Sequence, residues 1–210
     1  MVNVCIPTLN SYEELDRCIH SLRSNTVDKI VVLDNGLGHV PASLPNLRYI
    51  KSPYNYGVAK SWNLMIGLTA GIRIICNDDV LFEQDSVKQM VDDYDDNNII
   101  SPAGLGYMNV FSCFLIPEKI IQEVGLFDEK ISPNYGYFED NDYFRRLTLA
   151  GFGVKFSQAK VQHLGSSTMK HMTPDQERKH HTKFNMAKKN YIKKWGGEPG
   201  SETRTTPQEL

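Results

Sequence analysis

Short apolar runs, each cut off by a polar cluster, constrain this 210-residue chain more than any other feature. Residues 2–6 are closed by Pro7-Thr8-Leu9-Asn10, residues 28–34 end at Asp34-Asn35-Gly36, and residues 72–76 stop at Asn77-Asp78-Asp79. Residues 47–51 make a further short run. Between them, apolar residues recur at helical spacing: Leu15, Cys18, Ile19 and Leu22 in the first interval, and the stretch 58–69, entered through Asn55-Tyr56-Gly57, in a later one. Ser11 and Glu14 read as a capping box for the first helix. Such alternation predicts an α/β domain with a mostly parallel, Rossmann-like sheet flanked by helices.

The alternation continues through a helix marked by Val87, Met90, Val91 and Tyr94 and a strand at Ile99-Ile100. After residue 105 a strand is expected over 110–116, a short helix over 117–124 and a loop rich in Gly, Pro, Asn and aromatics up to Tyr137. A helix over 139–150 follows, then strands near 154–156 and 160–163. Thr173-Pro174-x-Gln176 opens a last helix, whose stripe of Phe184, Ala187, Tyr191 and Trp195 ends at Gly196-Gly197. The polar residues beyond are expected to fray.

Composition removes several classes. No run of about 18 apolar residues is present to span a bilayer, and the first residues enter a strand pattern without a leader, so a cytoplasmic location is expected. Cys5, Cys18, Cys76 and Cys113 lack Cys-x-x-Cys spacing and read as small buried hydrophobes. The formal charge of −2 is uneven, because residues 170–195 hold eight positive charges against two negative. That segment is a basic helix of charge +6 on an acidic body, either a polyanion-attracting surface or simply a solvated face.

Ligands of open α/β sheets bind beyond the carboxyl ends of the strands, which here means the three polar clusters. Neither Gly-x-Gly-x-x-Gly nor Gly-x-x-x-x-Gly-Lys-Ser/Thr occurs, which disfavours dinucleotide oxidoreductases and P-loop enzymes. Asn77-Asp78-Asp79 offers hard oxygen ligands for Mg²⁺ or Mn²⁺ shared with substrate phosphates, although adjacent acidic residues after a strand are more often a turn or helix-start device. Glu139-Asp140-Asn141-Asp142 stands at a helix start, where ionised carboxylates are favoured; it is a general-base candidate or a cap. His163, at a strand end, is a Mn²⁺-ligand candidate or a structural histidine.

Taken together these pieces resemble the family 2 glycosyltransferases of GT-A fold. The resemblance runs through Ile6-Pro7-Thr8-Leu9-Asn10, Val31 to Asn35, Asn55-Tyr56-Gly57 with Trp62-Asn63, and Cys76 to Val80. It continues through Gly125 to Glu129, Tyr137 to Asp142 with Arg145-Arg146, Val161-Gln162-His163 and Lys194-Trp195-Gly196.

It implies a single GT-A domain over 1–196 and a flexible tail over 197–210. Within the domain, residues 1–104 form the nucleotide-sugar half, 105–170 the acceptor half and 173–196 the basic helix. It further implies that Pro7, Thr8, Asn10, Asn35, Asn55, Asn63, Asn77 and Asp78 line the donor pocket and that Asp34 hydrogen-bonds the base, commonly uracil. Asp79 and His163 would hold a divalent metal, Mn²⁺ or Mg²⁺, and Asp140, with Glu139 beside it, would be the general base of an inverting transfer from a nucleotide sugar. Asn77 departs from the acidic first position of the family's Asp-x-Asp motif.

Tyr107, Phe111, Phe114, Phe127, Tyr135, Tyr137 and Phe138 are candidates for stacking on an acceptor, with Asn109 and Ser112 as further sugar contacts. The acceptor is expected to be a glycan or lipid-linked saccharide, with a hydroxymethylated pyrimidine in DNA as the alternative. Two other readings of the chain are a catalytically silent nucleotide-sugar binding module and, last, a nucleotidyltransferase.

Overall fold

The computed structural model describes residues 1–39, 44–165 and 173–210. In chain order the elements are β1 (Val2–Thr8), α1 (Tyr12–Ser21), β2 (Lys29–Asp34), β3 (Leu47–Lys51), α2 (Val58–Leu68), β4 (Ile72–Cys76), β5 (Val80–Phe82) and α3 (Ser86–Asp92). They continue with β6 (Asn98–Pro102), β7 (Cys113–Leu115), α4 (Glu118–Val124), α5 (Glu139–Leu149), β8 (Gly153–Ser157), β9 (Val161–His163) and α6 (Pro174–Trp195). Seven strands form one sheet in the order β3-β2-β1-β4-β7-β6-β8, and β5 with β9 makes a separate two-stranded ribbon. β1 to β4 run parallel, while β7 is antiparallel to both its neighbours.

Alternation along each strand explains the two cores. Val4, Ile6, Ile30, Val32 and Ile74 point to the face covered by α1 and α3. Cys5, Val31, Leu33 and Ile75 point to the other face, where α2, α4 and α5 contribute Trp62, Met65, Ile120, Tyr143 and Leu147. Both faces are buried, so the central strands read as unbroken apolar runs. The four cysteines are free and buried, and burial pushes the Cys5 thiol up to about 12.

Several local expectations are corrected. The strand expected over 110–116 is confined to Cys113–Leu115, and Tyr107–Ser112 forms 3-10 turns instead. Tertiary bonds override the β-propensity there: the Ser101 hydroxyl donates to the Val110 and Cys113 carbonyls, and the Asn77 amide to that of Ser112. The capping box does not form, because the Ser11 side chain caps nothing and only its carbonyl receives the Leu15 amide. The tail is docked rather than frayed. Tyr191 donates to Glu202 at 2.5 Å, and the Arg204 and Gln208 amides donate to the Trp195 and Lys194 carbonyls. No helix among the described residues is long and apolar enough to cross a membrane.

Candidate functional site

Adjacent parallel strands put their carboxyl ends on one edge of the sheet, and a cleft of about 560 Å³ opens there. It is lined by Pro7 and Thr8 at the end of β1 with Leu9 after it, by Asn35 after β2, and by Asn77, Asp78 and Asp79 after β4. The Thr8 hydroxyl donates to Asp78 at 2.6 Å, joining two strand ends. Burial, with the charge of Asp79 beside it, raises Asp78 to about 7. Trp62 of α2 also lines the cleft, and its buried indole N–H has no partner among the described residues.

His163 reaches this site by a route the sequence does not reveal. β9 does not rejoin the main sheet; it pairs with β5 in a register that sets His163 opposite Val80. The Leu164 amide closes the ribbon on the Asp79 carbonyl at 3.0 Å. His163 Nε2 consequently lies 3.0 Å from Asp79 Oδ1, and that bond raises the imidazole pKa. Among the described residues no group of three or more His, Cys, Asp or Glu side chains is arranged to hold a metal ion. One carboxylate and one imidazole suit an ion that takes its other ligands from substrate phosphate and water, and the nitrogen favours Mn²⁺ over Mg²⁺.

The rest of the lining comes largely from the second half of the chain. Glu139 and Asp140 open α5 and line the cleft with Tyr135, Gly136, Tyr137 and Asn141. Burial raises both carboxyls; Glu139, next to the charge of Asp140, is pushed up to about 8. A bulky pair in the left-handed region delivers them, since Tyr137 has φ 150° and Phe138 φ 66°. Such conformations cost on the order of 1–3 kcal/mol each and concentrate at functional sites. On the other side of this loop the Val58 amide donates to the Tyr135 carbonyl at 2.6 Å. A Cβ on Gly57 would stand 2.3 Å from the Tyr135 nitrogen, so only glycine admits this approach.

Three expected donor residues stand away from the cleft. Asp34 is fully buried, and its oxygens accept from the Tyr12 and Tyr49 hydroxyls and the Gly36 and His39 amides. Its acceptor capacity is thus committed to the protein. Asn10 accepts from the Leu37 amide at 2.8 Å. Asn63 exchanges hydrogen bonds with the Phe127 backbone at 2.9 Å and donates to Glu129. Asn55 lines the cleft, and its carbonyl oxygen accepts from the Gly57 amide.

Of the aromatic candidates, Phe114 and Phe127 pack on Trp62 in the core, whereas Phe111, Tyr135, Tyr137 and Phe138 line the cleft with Asn109 and Ser112. Tyr107 is exposed against Phe144 and Phe156. Sequence reasoning missed His180 and Phe184 of α6, which also line the cleft. Their i, i+4 spacing on the apolar stripe was the available signal.

The basic helix is much less basic than it reads. Lys194 is buried between Asp128 and Asp142 at 2.6 and 2.7 Å. Lys188 pairs with Glu198, Arg178 with Asp175, and the Lys183 ammonium lies over the Tyr135 ring. Lys170 lies outside the described residues.

A mostly parallel sheet with one inserted antiparallel strand and helices on both faces is the GT-A architecture, and solved structures match it. A mannosyltransferase from Pyrobaculum calidifontis in complex with GDP-Man and Mn²⁺ aligns with a TM-score of 0.55 at 14% identity, over 73% of this chain and 54% of that one. GalNAc-T7 with UDP, GalNAc and Mn²⁺ aligns with a TM-score of 0.61 at 12% identity, over 78% and 43%. S. aureus TarS aligns with a TM-score of 0.57 at 14% identity, over 77% and 36%. The chain therefore spans about a third to a half of the length of these structural relatives. The sequence narrows the class: residues 3–112, just over half of the chain, match the Glycosyl transferase family 2 profile, and the chain belongs to that family. No curated protein matches it in sequence.

Proposed function

We propose that the protein is a metal-dependent, inverting glycosyltransferase that moves a sugar from a nucleoside diphosphate sugar to an acceptor hydroxyl. The observation that carries this reading is the presence of the Asp79–His163 pair and the Glu139–Asp140 pair in the lining of one cleft. Asp79 and His163 would hold the divalent ion, which when bound neutralises charge on the leaving diphosphate. Thr8, bonded to Asp78, fixes the spacing of the two strand ends under the donor. Asp140 takes the acceptor proton, and Glu139, anchored to the Tyr137 amide, sets the charge beside it.

A UDP-sugar is the donor we favour. With Asp34 committed to the loop, base contacts fall to the strand-end residues and to Asn55, whose amide NH₂ has no partner among the described residues. The Trp62 N–H is a donor for a sugar oxygen. The acceptor we favour is a saccharide, because the carboxylates of the cleft repel a polyanion and Arg178, Lys188 and Lys194 of the helix are held in ion pairs. Asp140→Asn is expected to abolish nucleotide release with Mn²⁺ while calorimetric binding of the donor persists. Near-normal turnover removes the base assignment, and absence of hydrolysis by the wild type with any nucleotide sugar favours the silent binding module.

A further inference from the structure

We infer that α6 is a clamp on the catalytic wall: Phe184 and Tyr191 hold Tyr137 and Phe138 in the left-handed turn that carries Glu139 and Asp140 into the cleft. Phe184 is then a positioning residue, an assignment that rests on the proposed role of Asp140.

Aromatic residues hold positive φ only where their surroundings over-determine it. Here the surroundings are α6. The Tyr137 ring lies 5.1 Å from Phe184, and its hydroxyl bonds His180. The Phe138 ring lies 5.3 Å from Phe184 and 5.7 Å from Tyr191. α6 cannot drift from α5, because the Trp195 indole donates to Asp142 at 2.8 Å and Lys194 pairs with the same carboxylate. On its far side the loop is seated on Gly57 and Val58, at the start of the helix that carries Trp62. The turn is gripped from both sides, and its next two residues are the carboxylates.

A helix that only added buried area would affect stability without touching the chemistry. The clamp makes a different demand, namely that loosening the turn rehydrates Glu139 and Asp140 and moves the acid limb of the rate profile to lower pH. Other titratable groups that line the cleft with the pair are Asp78, Asp79 and His163, Tyr135 and Tyr137 in the loop, and His180 on α6.

The test compares Phe184→Ala, Phe184→Leu and Tyr137→Phe in the full chain. Amide exchange is read at Val58 and Asp142, whose N–H groups bond the Tyr135 and Phe138 carbonyls. In Phe184→Ala we expect exchange about tenfold faster and kcat about 10- to 100-fold lower, with the acid limb shifted down and donor affinity kept. Phe184→Leu restores most of the loss. Tyr137→Phe, the milder variant, shifts the same readouts about fivefold, the equivalent of one hydrogen bond. Unchanged exchange in Phe184→Ala overturns the clamp whatever Asp140 does. Fast exchange in Phe184→Ala together with normal turnover of Asp140→Asn overturns the base assignment and leaves the clamp standing.

Discussion

Glu139 shows how one residue sets stability and chemistry against each other. Its carboxyl titrates near 8 in the folded protein, against about 4.3 in an unfolded chain. Between those values the folded state holds a proton that the unfolded state has released, so stability declines as pH rises from about 4 towards 8. Under the proposed base role turnover moves the other way, because the pair must ionise to accept a proton. Glu139→Gln is expected to flatten the stability decline, measured as urea midpoints at pH 5 and pH 8. Asp34 is the second instructive residue. Its sequence position promised a base contact, but the structure makes it the hub of the 34–39 turn. Asp34→Asn is expected to lower unfolding stability by about 2–3 kcal/mol in urea titration, the scale of a charged hydrogen-bond set. Side-chain direction is what the sequence withheld here, since Asp34 and Asn35 end the same strand and only Asn35 lines the cleft.

At the scale of elements, legibility followed length and period. β1, β2, β4, α2 and α5 were readable because each has a sustained apolar run or a helical stripe with a polar end. β5 and β9 are three-residue strands whose pairing depends on a partner about 80 residues away, so no local pattern marks the ribbon. The turn at Tyr137 and Phe138 was invisible for another reason: positive φ in aromatic residues is imposed by packing. α6 was legible as a helix, but the ion pairs that occupy part of its charge were not legible in the sequence. Its Lys194 lies against two carboxylates at 6% side-chain exposure. Breaking a buried pair leaves an uncompensated charge and costs about 3–5 kcal/mol. Lys194→Met is therefore expected to lower the urea midpoint sharply. Lys194→Met with Asp128→Asn and Asp142→Asn is expected to recover part of the loss.

For the whole molecule, the net charge of −2 is less divided than the sequence implies. Of the positive charges in α6, those of Lys179, Lys183, Lys189 and Lys193 have no ion pair among the described residues, and Lys183 lies over the Tyr135 ring. Four phosphate contacts from this helix would give a shallower salt dependence than all of its positive charges acting together. The protein is expected to pass through a DNA column at about 0.1 M salt, and steeply salt-dependent retention would restore the nucleic-acid acceptor. The ribbon of β5 and β9 has one more consequence. A chain emerging from the ribosome acquires β1 to β4, and with them Asp79, while His163 is still unmade. Asp79 and His163 thus meet only once β9 has been made, about 80 residues after Asp79, and a nascent chain that stops before β9 carries β5 without its ribbon partner.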